Sequence, residues 1–325
     1  MKSSAPSSQT AEPFSAFMAR ALFDPQRGYY TRQIKTVGAR GDFSTSATLS
    51  PSLGTAVGEW LKAEYRRQPK VRHIVEIGAG DGSLMQQVRK TLGLRYLWRF
   101  KFHIVEISAT LRAQQQHRFG TSVRLHSTVE EALEHTGGDA FIYHHELLDA
   151  FPATLVQWSG AQQQWQEVWV PGSLHPLPQH LDPAHFSALL HAGFADGQRC
   201  ELHPSIRSWL QMWTPHWKRG AMLSIDYGDD FPRLYHRRPW GTLRAYLLHQ
   251  RLTGPDVYAN PGRQDITADI NFTDYRAWLR ECGLEEVSHQ VLADFLRPHR
   301  APAQLLDADG AGGAFQCLVH RPAGS

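Results

Sequence analysis

Three cysteines in 325 residues, Cys200, Cys282 and Cys317, are too few, too scattered and odd in number for a disulfide scaffold. No CxxC pair is present to seed a zinc knuckle, and the sequence pattern implies no metal. A reducing compartment is the expected home. The opening MKSSAPSSQTAEPF has one lysine and no apolar core of roughly 7–15 residues, so it reads as neither a secretory signal nor an Arg-rich transit peptide. Residues 1–12 therefore read as a disordered tail, and the expected location is cytoplasmic. No run approaches the roughly 20 apolar residues of a membrane span. Neither charge sign dominates: 34 Lys plus Arg against 31 Asp plus Glu leave +3, too little for a nucleic-acid footprint. What remains is an ordinary globular composition, 42% apolar, 20% charged and 11% aromatic, which excludes disordered, collagen-like and coiled-coil classes.

Apolar residues at spacings of three and four predict a short helix over Pro13–Leu22 and a second one over Pro51–Arg67. The stretch between them, rich in Gly, Ser and Thr, reads as loop. From His73 the pattern becomes strand, glycine turn, helix: His73–Ile77, Gly78–Gly82, Ser83–Leu92. Strands at Phe102–Glu106, Val123–His126 and Ala140–Tyr143 then alternate with helical segments at Leu111–Phe119 and Glu130–His135. Such alternation implies parallel strands with right-handed crossovers, hence a doubly wound α/β sheet. Beyond Ala150 the order changes. Thr154–Trp158 and Trp165–Val170 read as a hairpin, Pro171–Pro183 as a loop, Trp209–Trp217 as a helix and Met222–Ile225 as a buried strand. Residues 228–273 form a long, weakly periodic insertion.

The chemistry concentrates at strand ends. In Glu76-Ile77-Gly78-Ala79-Gly80-Asp81-Gly82-Ser83 the glycines let the backbone approach a bound ligand. The third glycine comes one residue earlier than in a dinucleotide GxGxxG, which disfavours a nicotinamide cofactor. GxGxG after an acidic strand residue is the commoner pattern of S-adenosylmethionine-dependent methyltransferases. Glu106 ends the next strand, where a carboxylate can accept hydrogen bonds from both hydroxyls of a ribose. His144-His145-Glu146-Leu147-Leu148-Asp149-Ala150-Phe151-Pro152 follows the fourth strand, at the sheet's carboxyl edge. A helical turn there would put Glu146 and Asp149 on one face, able to grip a guanidinium with charge-assisted bonds. Asp226-Tyr227 at a later strand end would line an acceptor pocket, and His249 would accept a proton or satisfy a buried backbone group. Trp209, Met212, Trp213 and Trp217 form a stripe that reads as core.

Asp24-Pro25 with Gly28-Tyr29-Tyr30, Gly41-Asp42-Phe43-Ser44-Thr45-Ser46, the glycine turn, and Glu106-Ile107-Ser108 with Leu111-Arg112 and Gln115 together resemble the MidA family. The resemblance continues through Glu146–Pro152, Ile225-Asp226-Tyr227-Gly228, Gly241–Tyr246 with His249, and Pro261-Gly262 with Asp265–Ala268. It covers roughly residues 13–320. The family pattern has Asn where this chain has His145. The resemblance implies a class I methyltransferase fold, Rossmann-like, with an N-terminal helical extension and an inserted α+β subdomain. The implied domains are a cap over 13–70, a core over 71–158 and 200–320, and insertions over 159–199 and 228–273.

For function, the resemblance implies S-adenosyl-L-methionine binding, with S-adenosyl-L-homocysteine as product, and, from a mitochondrial relative, methylation of protein arginine. The implied cofactor residues are Gly41, Asp42, Phe43 and Thr45 from the cap, Glu76, Gly78, Gly80, Gly82, Ser83 and Leu84 from the turn, and Glu106, Ser108, Glu146 and Leu147. Catalysis is assigned to Glu146, Asp149, His145 and His249, and substrate binding to Asp226 and Tyr227. The expected partner is a protein acceptor, with neither nucleic acid nor membrane. The segment after Gly228 either covers the site or forms a homodimer interface. The alternative is an adaptor that binds the cofactor without transferring methyl groups.

Overall fold

A computed structural model describes residues 11–33, 50–181, 186–248 and 250–324. Its centre is an eight-stranded sheet among the described residues. Seven strands define the topology: β1 His73–Ile77, β2 Lys101–Val105, β3 Arg124–His126, β4 Phe141–His145, β5 Met222–Asp229, β6 Leu284–Val291 and β7 Phe315–Pro322. They lie in the order β3-β2-β1-β4-β5-β7-β6. The first five pair in parallel, and β7 runs antiparallel to both β5 and β6. The short strand Ile270–Asn271 pairs with the end of β5. The order reverses between β1 and β4, which opens a crevice at their carboxyl ends.

Period-2 burial explains the layers. In β4, Phe141 and Tyr143 join one core with Ile74 and Ile104, while Ile142 joins another with Val75 and Val105. Helices α2 (Ser52–Arg67) and α3 (Ser83–Leu97) cover the first face through Leu53, Val57, Leu61, Met85 and Val88. On the second face lie α5 (Val129–Thr136), α6 (Pro204–Trp213) and α7 (Phe272–Glu281). Local signals set the ends of α5. The Thr128 hydroxyl accepts from Glu131 N at 3.2 Å, Glu131 Oε2 takes Ser127 N at 2.8 Å, and Gly137 closes the helix at φ 66°.

The additions form a third core. Helix α1 (Phe14–Phe23) buries Phe14, Phe17, Met18, Ala21 and Leu22 against Leu155, Val168, Ala245 and Ile266. These partners belong to two small antiparallel sheets. One contains Glu12–Pro13, Thr154–Ser159, Gln164–Val170, Ser173–Pro176 and Arg199–Leu202; the other contains Arg244–Leu247, Gln250–Leu252 and Asp265–Thr267.

Most sequence-predicted elements lie within a few residues of their observed positions. The expected hairpin forms, with Thr154–Ser159 antiparallel to Gln164–Val170. Two elements differ. The Pro171–Pro183 loop contains the strand Ser173–Pro176, paired with Gln164–Val170. The helix expected from Trp209 starts at Pro204, whose missing N–H suits a first helical turn.

Candidate functional site

A cavity of about 520 Å³ opens at the carboxyl ends of β1, β2 and β4, within the roughly 300–1,000 Å³ of small-molecule sites. The glycine turn forms its floor. Gly78 and Gly80 adopt φ 70° and 54°, a region that side-chain-bearing residues rarely enter. A Cβ on Gly78 would stand 2.7 Å from Leu147 Cδ1. The turn after β4 is thus seated directly on the turn after β1. Gln115 of α4 (Ala109–Phe119) donates to the Gly80 carbonyl at 2.7 Å, and Asp81 Oδ1 accepts from Ser83 N at 2.9 Å.

Two acids of the floor are held in place. Tyr143 Oη donates to Glu76 Oε2 at 3.0 Å, and burial pushes the Glu76 carboxyl up to about 8. Glu106 Oε1 accepts from Ser108 N at 2.9 Å. Burial raises its carboxyl to about 6, opposed by the N–H groups of Ser108 and Gly80. Arg112 secures this strand end by donating to the carbonyls of Glu106 at 2.5 Å and Ile107 at 2.9 Å.

The wall after β4 is strained and cross-braced. Glu146 takes φ 50°, and its N–H donates to Ile225 O at 3.0 Å. Asp226 on β5 accepts from Leu147 N at 3.0 Å, Leu148 N at 2.7 Å and, through its other oxygen, Tyr227 N at 2.9 Å. His145 Nε2 lies 3.0 Å from Glu146 Oε1, and its ring stacks on Phe315 at 5.7 Å. Behind the wall, burial and the neighbouring carboxylates of Asp226, Asp265 and Glu146 hold Asp149 well above the usual range. Burial raises Asp226 to about 7 against its three N–H partners. Tyr30 of the N-terminal segment donates to Asp265 Oδ1 at 2.8 Å.

Of the sequence-predicted cofactor residues, Glu76, Gly78, Gly80, Ser83, Leu84, Glu106, Glu146 and Leu147 line the cavity, as does His145. Gly41, Asp42, Phe43, Thr45 and His249 lie outside the described residues. Five of the residues named from the sequence lie off the cavity lining. Gly82 is the left-handed cap of α3 at φ 80°, with the Phe119 ring where a Cβ would go. Ser108 is fully buried and caps α4 by accepting from Leu111 N. Asp149 does not share the cavity face of Glu146, because the positive φ of Glu146 breaks the helical turn that would align them. Asp226 is 0% exposed and occupied by backbone N–H groups, and neither it nor Tyr227 lines the cavity.

Sequence reasoning missed several lining residues. Ser127–Glu130 close the cavity beyond β3, Phe23 and Tyr30 reach it from the N-terminal segment, and Trp209 and Met212 reach it from α6. The last two had read as core. Met212 is instead 56% exposed, whereas Trp213 and Trp217 of the same stripe are buried.

Residues 56–289 match the model of a family, Methyltransf_28, described as S-adenosyl-L-methionine-dependent methyltransferases. The chain is 27% identical to the mitochondrial "Protein arginine methyltransferase NDUFAF7 homolog" of Drosophila melanogaster, over 80% of this chain and 64% of that protein. It is 28% identical to the corresponding Xenopus tropicalis protein, over 81% and 66%. The chain thus spans a little under two thirds of these relatives. A superfamily member of Burkholderia thailandensis, bound to S-adenosyl-homocysteine, shares the fold at a TM-score of 0.79 and 24% identity, covering 96% of this chain and 88% of that one. The relatives are named as mitochondrial proteins, which overturns the cytoplasmic expectation drawn from the N-terminal segment and the cysteine count.

Proposed function

The chain belongs to the family of S-adenosyl-L-methionine-dependent methyltransferases whose model it matches, and on that premise we propose that it transfers the sulfonium methyl group to a protein arginine side chain. When bound, the cofactor supplies an activated methyl whose transfer is an in-line displacement, so the protein's work is alignment and exclusion of water. The residues present suit it: a 520 Å³ cavity, a glycine floor open to backbone contact, and a buried Glu106 carboxylate exposed to the cavity. Gly78, Gly80, Ser83 and Leu84 would hold it from below, Glu76 and Glu106 would take its polar groups, and Leu147 would pack against it. Gly41, Asp42, Phe43 and Thr45, outside the described residues, stay in this reading as the cofactor residues that the resemblance implies for the cap over 13–70.

The observation that carries the acceptor class is the excess of carboxylates at the β4 wall. Glu146, Asp149, Asp226 and Asp265 cluster there, and the buried cation that acts on Asp149, Arg244, is already engaged by Asp269. A cationic guanidinium relieves that imbalance, and a neutral acceptor would not. Glu146 faces the cavity and orients the nitrogen, while Asp149 behind it is a buried carboxyl whose charged form a bound guanidinium would favour. Asp226 acts by fixing the Glu146–Leu148 backbone. His145 Nε2, beside Glu146, is placed to receive the proton that the nitrogen loses, with His249 kept as the second acceptor named by the sequence.

The test is incubation with labelled donor and an extract from cells lacking the protein, followed by hydrolysis and identification of the labelled residue. Methylarginine is the expected product. Label on another side chain or on a small molecule would overturn the acceptor, and cofactor binding with no labelled product would support the adaptor reading.

A further inference from the structure

The amino-terminal edge of the central sheet, opposite the cavity, carries a second surface that methyl transfer does not use. Helices α2 and α3 end there, one just before β1 and the other just before β2, so their last turns and the strand starts share one end of the molecule. Between Lys62 and Lys101 the sequence has ten Lys and Arg against three Asp and Glu, a net +7, so the rest of the chain is −4. Two of those acids, Glu76 and Asp81, lie at the opposite, cavity edge. The third, Glu64, is buried and held by Arg67 and Arg321. Arg124 at the start of β3 extends the cationic edge. Lys70, Arg72, Arg95, Arg99, Lys101 and Arg124 are all exposed, and among the described residues no ion pair engages them.

From the middle of this face two apolar side chains stand in solvent, Leu94 at 76% and Trp98 at 88% exposure. They are four residues apart at the end of α3, just beyond Gly93, which breaks the helix at φ 70° and has open space around it. Cations in the last turns of helices commonly do no more than complement the helix dipole, which accounts for Arg66, Arg67 and Arg95. Arg72 also lies over the Tyr65 ring at 5.4 Å and Arg99 donates to Tyr65 Oη at 3.2 Å, which leaves unexplained Lys70, Lys101, Arg124 and the solvated tryptophan.

We propose that this edge docks on an anionic lipid bilayer surface, with Leu94 and Trp98 entering the headgroup layer and the surrounding lysines and arginines meeting the lipid phosphates. Two features favour a bilayer over an acidic protein. The apolar pair stands in solvent and lines no part of the cavity, as suits insertion into a soft planar phase rather than seating on a partner's side chains. The cations also spread across helix ends and strand starts instead of clustering around one pocket. Tryptophan settles at the headgroup level, and basic residues beside it add the electrostatic signal that a small apolar anchor needs. No helix among the described residues is long and apolar enough to cross a membrane, and surface docking needs none. The cavity would then face away from the lipid, separated from it by the length of a five-residue strand, about 17 Å.

The full chain should be sedimented with vesicles of phosphatidylcholine alone and of phosphatidylcholine mixed with phosphatidylserine or cardiolipin. Binding to anionic vesicles is expected to exceed binding to neutral ones by at least about tenfold and to fall steeply with added salt. Arg95→Glu/Arg99→Glu and, separately, Leu94→Ser/Trp98→Ser should each weaken it about tenfold, with an unchanged unfolding midpoint as the check on folding. Absence of binding to anionic vesicles at low salt, or variants that bind as well as the parent, would overturn the proposal. Retention on a polyglutamate resin that these variants abolish, without vesicle binding, would also overturn it and assign the face to an acidic protein.

Discussion

At the carboxyl ends of β1, β2 and β4 the backbone turns through left-handed glycines and a positive-φ glutamate, and carboxylates gather in and behind a concave cavity. At the amino ends of the same strands the surface is cationic and solvated. The difference lies in where unfavourable free energy is held. Burying Glu76, Glu106, Asp149 and Asp226 opposes folding, as their raised carboxyl values show. A ligand with matching donors or charge recovers that cost on binding. The amino edge stores nothing of the kind, because its cations remain hydrated. One edge is therefore built for tight, specific capture, and the other for salt-sensitive association.

Substitutions can break this contrast, and the largest effect belongs to the β4 wall. Glu146→Gln should lower turnover by about 10²–10³-fold, the size expected when a group stabilising charge in the transition state is removed, while S-adenosylhomocysteine affinity stays within about threefold. Equal losses in the two would show that Glu146 serves the cofactor and not the acceptor. Next comes Glu106→Ala, expected to weaken S-adenosylhomocysteine binding by about 10–100-fold through loss of hydrogen bonds to a charged group. Because the ribose hydroxyls need the ionised form, wild-type affinity should fall as pH drops below about 6, approaching tenfold per pH unit. Glu106→Gln should remove that dependence; persistence of the slope would assign it to another group.

Glu76 sharpens the comparison through stability. Its folded value of about 8 lies above the ordinary 4.5, so the folded state binds the extra proton between these values. The stability this proton contributes is fully present below about pH 4.5 and is lost as pH rises through about 8. Denaturant unfolding of Glu76→Gln across that window should give a flatter pH profile than the parent. The smallest effect belongs to the amino edge. Trp98→Ser should change unfolding free energy by no more than about 0.5 kcal/mol, as for other exposed sites, and leave turnover unchanged.

The glycine turn and Glu106 were legible in the sequence because their geometry is local: a strand, a tight turn, a helix start and a strand-end acid. The parallel order of β1–β4 was legible for the same reason, through alternating periodicities. Asp226 was found but its role was not. Its carboxylate meets Leu147 and Leu148 only because β5 pairs with β4 in the register Ile225↔His145, a contact spanning some eighty residues of chain. Met212 was misread, and Trp209 packs on the core while also lining the cavity, because helical spacing identifies a stripe without saying whether a core or a cavity covers it. Ser108 stood in a cofactor-like position while carrying the signature of a helix cap, and the cap is what formed. The cationic edge escaped notice because residues from Arg66 to Arg124 are brought together only by the crossover topology.

Calorimetric titration of S-adenosylhomocysteine into the wild-type chain, Glu106→Ala and Trp98→Ser tests the central claim most directly. The account predicts one site per chain, strongly weakened in Glu106→Ala and unaltered in Trp98→Ser. Absence of binding to the wild type, or equal binding by Glu106→Ala, would contradict it.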